Sequence, residues 1–182
     1  NGTVTQVAAV AESLGSEVVF SSGTFTNSSM CYDSTNDKIV IVYADAGNSD
    51  YGTAVVGTIS GTTVSFGTPV VFETAETVNT SAAFDSSNGK VVIAYRDAGN
   101  SNYGTAIVGT VSGTSISFGT AVVFESATVQ FTSSTFDSNS NKIVIAYRDA
   151  GNSSYGTAII GTVSGTSISV SYTHLRAHET LI

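Results

Sequence analysis

One segment occurs three times in this chain, and the repetition limits what the chain can fold into. Asp45-Ala46-Gly47-Asn48-Ser49 returns as Asp97-Ala98-Gly99-Asn100-Ser101 and again as Asp149-Ala150-Gly151-Asn152-Ser153, each copy 52 residues after the last with no insertion between them. A fixed period near 50 residues points to stacked supersecondary units rather than to one enzyme core. The spacing divides the chain into a degenerate end of a preceding repeat (1–15), repeats over 16–67 and 68–119, a truncated third repeat over 120–169, and a tail over 170–182.

Gly, Ser, Thr, Val and Ile dominate, Trp is absent and 11% of residues are charged. Strand formers interleaved with turn formers predict an all-β fold, with a short helical stretch only around 7–14. In the second copy a first strand is expected over 80–85, anchored by Phe84, then a turn at Asn88-Gly89, a strong hairpin dipeptide. A second strand is expected over 90–96, a loop over 97–102, a third strand over 103–111 and a turn at 112–114. The fourth runs 115–118, breaks at Gly119-Thr120 and resumes over 122–124, with residues 73–79 and 125–131 left as variable loops between units. The second strand is apolar on both faces (Val91, Ile93 and Tyr95 against Val92 and Ala94), so both faces must be covered. Stacking one four-stranded unit on the next does this, with Phe118 and Phe124 expected to wedge between neighbours.

In unit length and strand order these residues resemble the β-propeller families built from blades of 40–50 residues. The turn Ser112-Gly113-Thr114 and the later Phe118 fall where sialidase-like blades carry an Asp-box hairpin, although the Asp and Trp of that box are missing. The resemblance covers 16–169 and implies tandem antiparallel meander blades, about three of them, too few to close a ring. Such an arc is expected to self-associate through open blade edges at both ends. The chain is also similar to uncharacterised tandem-repeat surface and tail proteins of marine viruses and bacteria, which implies an extracellular or virion-surface setting. Residues 170–180, beginning Val170-Ser171-Tyr172-Thr173-His174, resemble translated sequencing-adapter read-through. That resemblance implies a metagenomic fragment, in which His174 and His178 are not expected to be a metal pair.

The net charge of −8 and the absence of a basic stripe exclude nucleic acid and an anionic membrane surface as partners. Cys31 is alone, with Ala83 and Thr135 at its equivalent positions, and is expected to be a small core residue. No cofactor or metal is expected.

The loop kept in all three copies carries the candidate ligand-binding residues: Asp45, Asn48 and Tyr51; Arg96, Asp97, Asn100 and Tyr103; Arg148, Asp149, Asn152 and Tyr155. As a turn, Gly47 supplies a positive φ and Asp45 binds backbone amides. As a glycan contact, the tyrosine rings offer a face while Asp and Asn bond to hydroxyls. The arginines are expected to be solvated strand-end charges or, alternatively, forks for acidic sugars. Catalysis needs different residues in different roles, and the acidic departures from the repeat (Glu12, Glu17, Asp50, Glu76) form no pair. The expected function is therefore a non-enzymatic repeat module for structural or adhesive multivalent binding to glycans or a surface protein. The alternatives are a lectin-like propeller with one weak glycan site per blade and the non-catalytic part of a propeller glycosidase.

Overall fold

The computed structural model describes residues 14–171. The expectations for 1–13 and 172–182, among them most of the helical stretch, Glu12, His174 and His178, lie outside the described residues. The fold is all-β: twelve strands in antiparallel pairing on a path that does not close. They are β1 (Phe25–Asp33), β2 (Lys38–Asp45), β3 (Tyr51–Ser60), β4 (Thr63–Phe66), β5 (Val70–Asp85), β6 (Lys90–Asp97), β7 (Tyr103–Ser112), β8 (Ser115–Phe118), β9 (Val122–Asp137), β10 (Lys142–Asp149), β11 (Tyr155–Ser164) and β12 (Ser167–Ser171).

The second, third and fourth strands of each unit form where the residue pattern places them, including the break between β8 and β9 at Gly119. The segments 73–79 and 125–131 correct the expectation of loops. Both are strand, because β5 and β9 run unbroken for 16 residues each. The physical reason is hydrogen bonding on two partners in succession. The start of β5 pairs with β3, from Val70 opposite Ala54 to Glu76 opposite Tyr51. Its remainder pairs with β6, from Thr77 opposite Asp97 to Asp85 opposite Lys90. The change of partner falls between Glu76 and Thr77, next to register shifts in the β3 pairing, and a further bulge between Val78 and Ser81, with Asn79 at φ 55°, lies within the pairing to β6. The strand's backbone groups find partners on the way, which a loop buried between layers could not arrange.

Three layers result. The first is β1–β4 with the start of β5, the second is the rest of β5 with β6–β8 and the start of β9, and the third is the rest of β9 with β10–β12. Val40, Val42, Ala54 and Val56 of the first pack on Val91, Ile93, Tyr95 and Ile107 of the second. Ala83, Val92, Ala94, Ala106 and Val108, on the other side of the second, pack on Ile143, Ile145, Tyr147 and Ile159. β6 is thus covered on both faces, as its apolar run requires. Each fully buried Val or Ile contributes roughly 1.5–3 kcal/mol.

Aromatic pairs close one side of every junction. Phe72 meets Tyr95 with ring centroids 5.3 Å apart and Phe124 meets Tyr147 at 5.2 Å, while on the outer face of the first layer Phe20 meets Tyr43 at 5.4 Å. Polar contacts close the other. The Ser29 hydroxyl accepts from the Ala82 amide at 3.1 Å, and the Ser81 hydroxyl accepts from the Ser134 amide at 2.8 Å. The strand breaks abut the next layer so closely that a Cβ on Gly67 or Gly119 would lie 1.9 Å from the carbonyl oxygen of Thr114 or Thr166.

Candidate functional site

The repeated pentapeptide joins the second and third strands of each layer. Asp45 and Asp97 cap one-turn 3-10 segments at Ala46–Asn48 and Ala98–Asn100. Their carboxylates bind their own loops: Asp45 Oδ1 accepts from the Gly47 amide at 3.0 Å, Asp97 Oδ1 from the Asn100 amide at 3.1 Å, and Asp149 Oδ1 from the Gly151 amide at 2.8 Å. Asp97 and Asp149 are buried. These bonds fix the loop, and burial keeps the Asp97 and Asp149 carboxylates from solvent, whereas Asp45 is half-buried.

The expectation that Gly47 supplies the positive φ is corrected. The left-handed residues are Ser49 and Asp50, Ser101 and Asn102, Ser153 and Ser154. In the second and third loops the glycine answers a close approach instead. A Cβ on Gly99 would sit 2.5 Å from the Ala75 Cβ, and one on Gly151 2.6 Å from the Ala127 Cβ. The loops therefore rest on the strand segments that cross between layers. The first two loops are also tied by backbone to the crossing strand that follows them: the Asp50 carbonyl accepts from the Thr77 amide at 3.0 Å, and the Asn102 carbonyl from the Val129 amide at 3.2 Å. A uniform loop and a variable strand segment thus lie side by side.

The structure sorts the candidate residues. Asn48, Asn100 and Asn152 are exposed, Tyr51 and Tyr103 are half-buried, and Tyr155 is 63% exposed. Arg96 and Arg148 point to the strand face opposite their neighbouring aspartates, as consecutive strand residues must. The Arg148 guanidinium donates to the Gln130 side-chain oxygen, and Arg96 is half-buried. Among the described residues no three His, Cys, Asp or Glu side chains gather as a metal site. Cys31 is half-buried against the core between the first two layers, and burial first, then the nearby Asp33 carboxylate, pushes its thiol up to about 12.

Two features escaped the sequence reading. Asp33 and Asp85 hold the hairpin turns before β2 and β6. Asp85 Oδ1 accepts from the Ser87 and Asn88 amides, both at 3.0 Å, and its Oδ2 accepts from the Asn88 side chain at 2.8 Å. The signal was an aspartate at the same place in every copy. The second is a buried tyrosine–glutamate contact at the junctions. Tyr95 Oη donates to Glu73 Oε2 at 3.0 Å, and Tyr147 Oη to Glu125 Oε2 at 3.2 Å. Burial, reinforced by the Glu73 charge, pushes the Tyr95 hydroxyl strongly up. One period earlier the glutamate position holds Ser21, and Gly23 stands where Ala75 and Ala127 stand later. There a cleft of about 440 Å³ opens, lined by Phe20, Ser21, Gly23, Tyr43, Asp45 and Pro69.

No family model matches this chain, and no curated protein or solved structure matches it.

Proposed function

We propose that the chain is a non-enzymatic repeat module for structural or adhesive multivalent binding on a virion or cell surface, its layers being the blades of an incomplete propeller. The blade reading is supported by antiparallel strands in each layer, the layers stacked face to face through apolar surfaces. The observation that carries the binding reading is the exposed asparagine, Asn48, Asn100 or Asn152, in each kept loop, beside segments that differ between copies. One contact repeated three times raises avidity without any single contact being strong. A non-enzymatic role fits carboxylates engaged with their own loop amides. Binding to intact cells and to glycan arrays tests this with one, two and three of Asn48→Ala, Asn100→Ala and Asn152→Ala. Multivalent contact predicts a loss that steepens with each added change. A loss complete with any single change, or none with all three, overturns it.

A lectin-like reading is favoured by one further observation. Tyr51, Tyr103 and Tyr155 keep part of their rings open beside those asparagines, a mixture of apolar face and polar group suited to a sugar. Glycan binding lost on Tyr103→Ala, with the fold kept, would select it.

A further inference from the structure

The first layer differs from the other two beside its repeated loop. In the later layers the chain fills this place with its own side chains. Glu73 and Glu125 accept from the Tyr95 and Tyr147 hydroxyls at 3.0 and 3.2 Å. Ala75 and Ala127 press on the loop glycines, where a Cβ on Gly99 or Gly151 would lie 2.5 or 2.6 Å from theirs. One period earlier, the counterparts of Glu73 and Ala75 are Ser21 and Gly23. A Cβ on Gly47 would meet only Asp45 Oδ1 within 4 Å, at 3.2 Å and inside its own loop. Tyr43, in the place of Tyr95, has the short Ser21 beside its hydroxyl instead of a carboxylate.

The cleft at this place has a volume of about 440 Å³, within the roughly 300–1,000 Å³ of small-molecule sites. Its walls are of two kinds. Phe20, the Tyr43 ring and Pro69, the chain's single proline, give apolar surface. Ser21, the Tyr43 hydroxyl and Asp45 give polar groups. The Asp45 carboxylate accepts from the Gly47 amide through Oδ1, and no hydrogen bond falls on its Oδ2 among the described residues. Asp45 is half-buried, while Asp97 and Asp149 are buried. No Lys, Arg or His lines the cleft, so an anionic ligand would meet the Asp45 charge without compensation. A neutral ring with adjacent hydroxyls matches each wall. One hydroxyl accepts from Tyr43 as Glu73 accepts from Tyr95, and a neighbouring hydroxyl donates to Asp45 Oδ2. The ring's apolar face then lies on Phe20 and Pro69.

We infer that the first layer holds a single site for a neutral monosaccharide in the cleft walled by Ser21, Tyr43 and Asp45, where the later layers insert their own glutamate and alanine. The site stands apart from the multivalent rim reading, because Asn48, Asn100 and Asn152 line no part of it.

Saturation-transfer NMR and calorimetry on the full chain test it, with the methyl glycosides of glucose, galactose and mannose as probes. At least one is expected to bind with a dissociation constant on the order of 1 mM. Ser21→Glu gives the cleft the residue of the second layer and is expected to weaken that binding by roughly tenfold or more. Gly23→Ala is expected to weaken it too; its Cβ would lie 3.7 Å from Asp45 Oδ1 and from the Gly47 Cα, an ordinary contact that keeps the fold. Changing Asn48, Asn100 and Asn152 together to Ala is expected to leave the binding unaltered, so the cleft and the rim fail separately. No binding of any of these glycosides at about 50 mM, binding unchanged by both cleft variants, or binding lost with the rim asparagines would each overturn the inference.

Discussion

The second and third layers are built from nearly the same residues and live in different surroundings. Residues 90–117 and 142–169 are almost identical, yet Ala94 is fully buried and Ala146 exposed, and Val108 is 0% exposed where Ile160 is 42%. The strands, their pairing and their register are the same in both, although only the second is covered on this face among the described residues. What depends on the cover is the value of each apolar side chain. In the second layer a face of Val and Ala is interior; in the third it is surface. Stability in such a stack resides in the junctions, and a residue counts according to which junction it meets.

The largest effect should come from placing a charge on that pair of faces. Ala94→Asp strands an unpaired carboxylate between layers and is expected to cost about 3–5 kcal/mol, while Ala146→Asp stays within about 0.5 kcal/mol. Urea denaturation of both variants measures the gap, and equal losses would mean that the layers are not stacked as described. Next are the aromatic pairs. Phe124 is fully buried and Phe20 only half-buried, so Phe124→Ala should cost roughly 3–5 kcal/mol and Phe20→Ala less. A smaller loss, about 1–2 kcal/mol, is expected for Tyr95→Phe, which leaves the Glu73 carboxylate without its hydroxyl donor. Tyr43→Phe, beside Ser21 and an open cleft, should cost less, and thermal melts of the two would rank them.

The smallest effect concerns the junction between the first two layers. With its thiol raised to about 12 from an ordinary value near 9, Cys31 is protonated in the folded chain at pH 8. Iodoacetamide should label it far more slowly than in the urea-unfolded protein. The sign of the linkage follows: the raised value favours the folded state fully below about pH 9, and that contribution is lost as pH rises toward 12. Equal labelling rates in both states would show the thiol to be free of the core.

Much of the fold was legible from residue order. The 52-residue period set the strands, the apolar run of β6 required cover on both faces, and Asn88-Gly89 placed a turn whose glycine has φ of 61°. Two readings failed for one reason. Residues 73–79 look like a polar linker, and Gly47 looks like the residue that supplies a positive φ, because each was judged from its own neighbours in sequence. In the structure the first is held as strand by β3 and then β6, and the glycine at Gly99 and Gly151 makes room for Ala75 and Ala127. The turn reading of the loop, with its aspartate bonding backbone amides, holds in all three copies, but residue order did not show that Asp97 and Asp149 are buried while the asparagines are exposed. An aspartate capping its own loop and one awaiting a ligand are written with the same letter.

By itself, then, the sequence determined an all-β chain and the 52-residue spacing of its recurring loop, since strand alternation and turn chemistry are local. Tertiary structure alone decided which of two chemically equal faces is covered, and that Ser21 in place of a glutamate opens a cleft. Burial is a property of what lies opposite, and the residue opposite lies about 50 positions away in the chain.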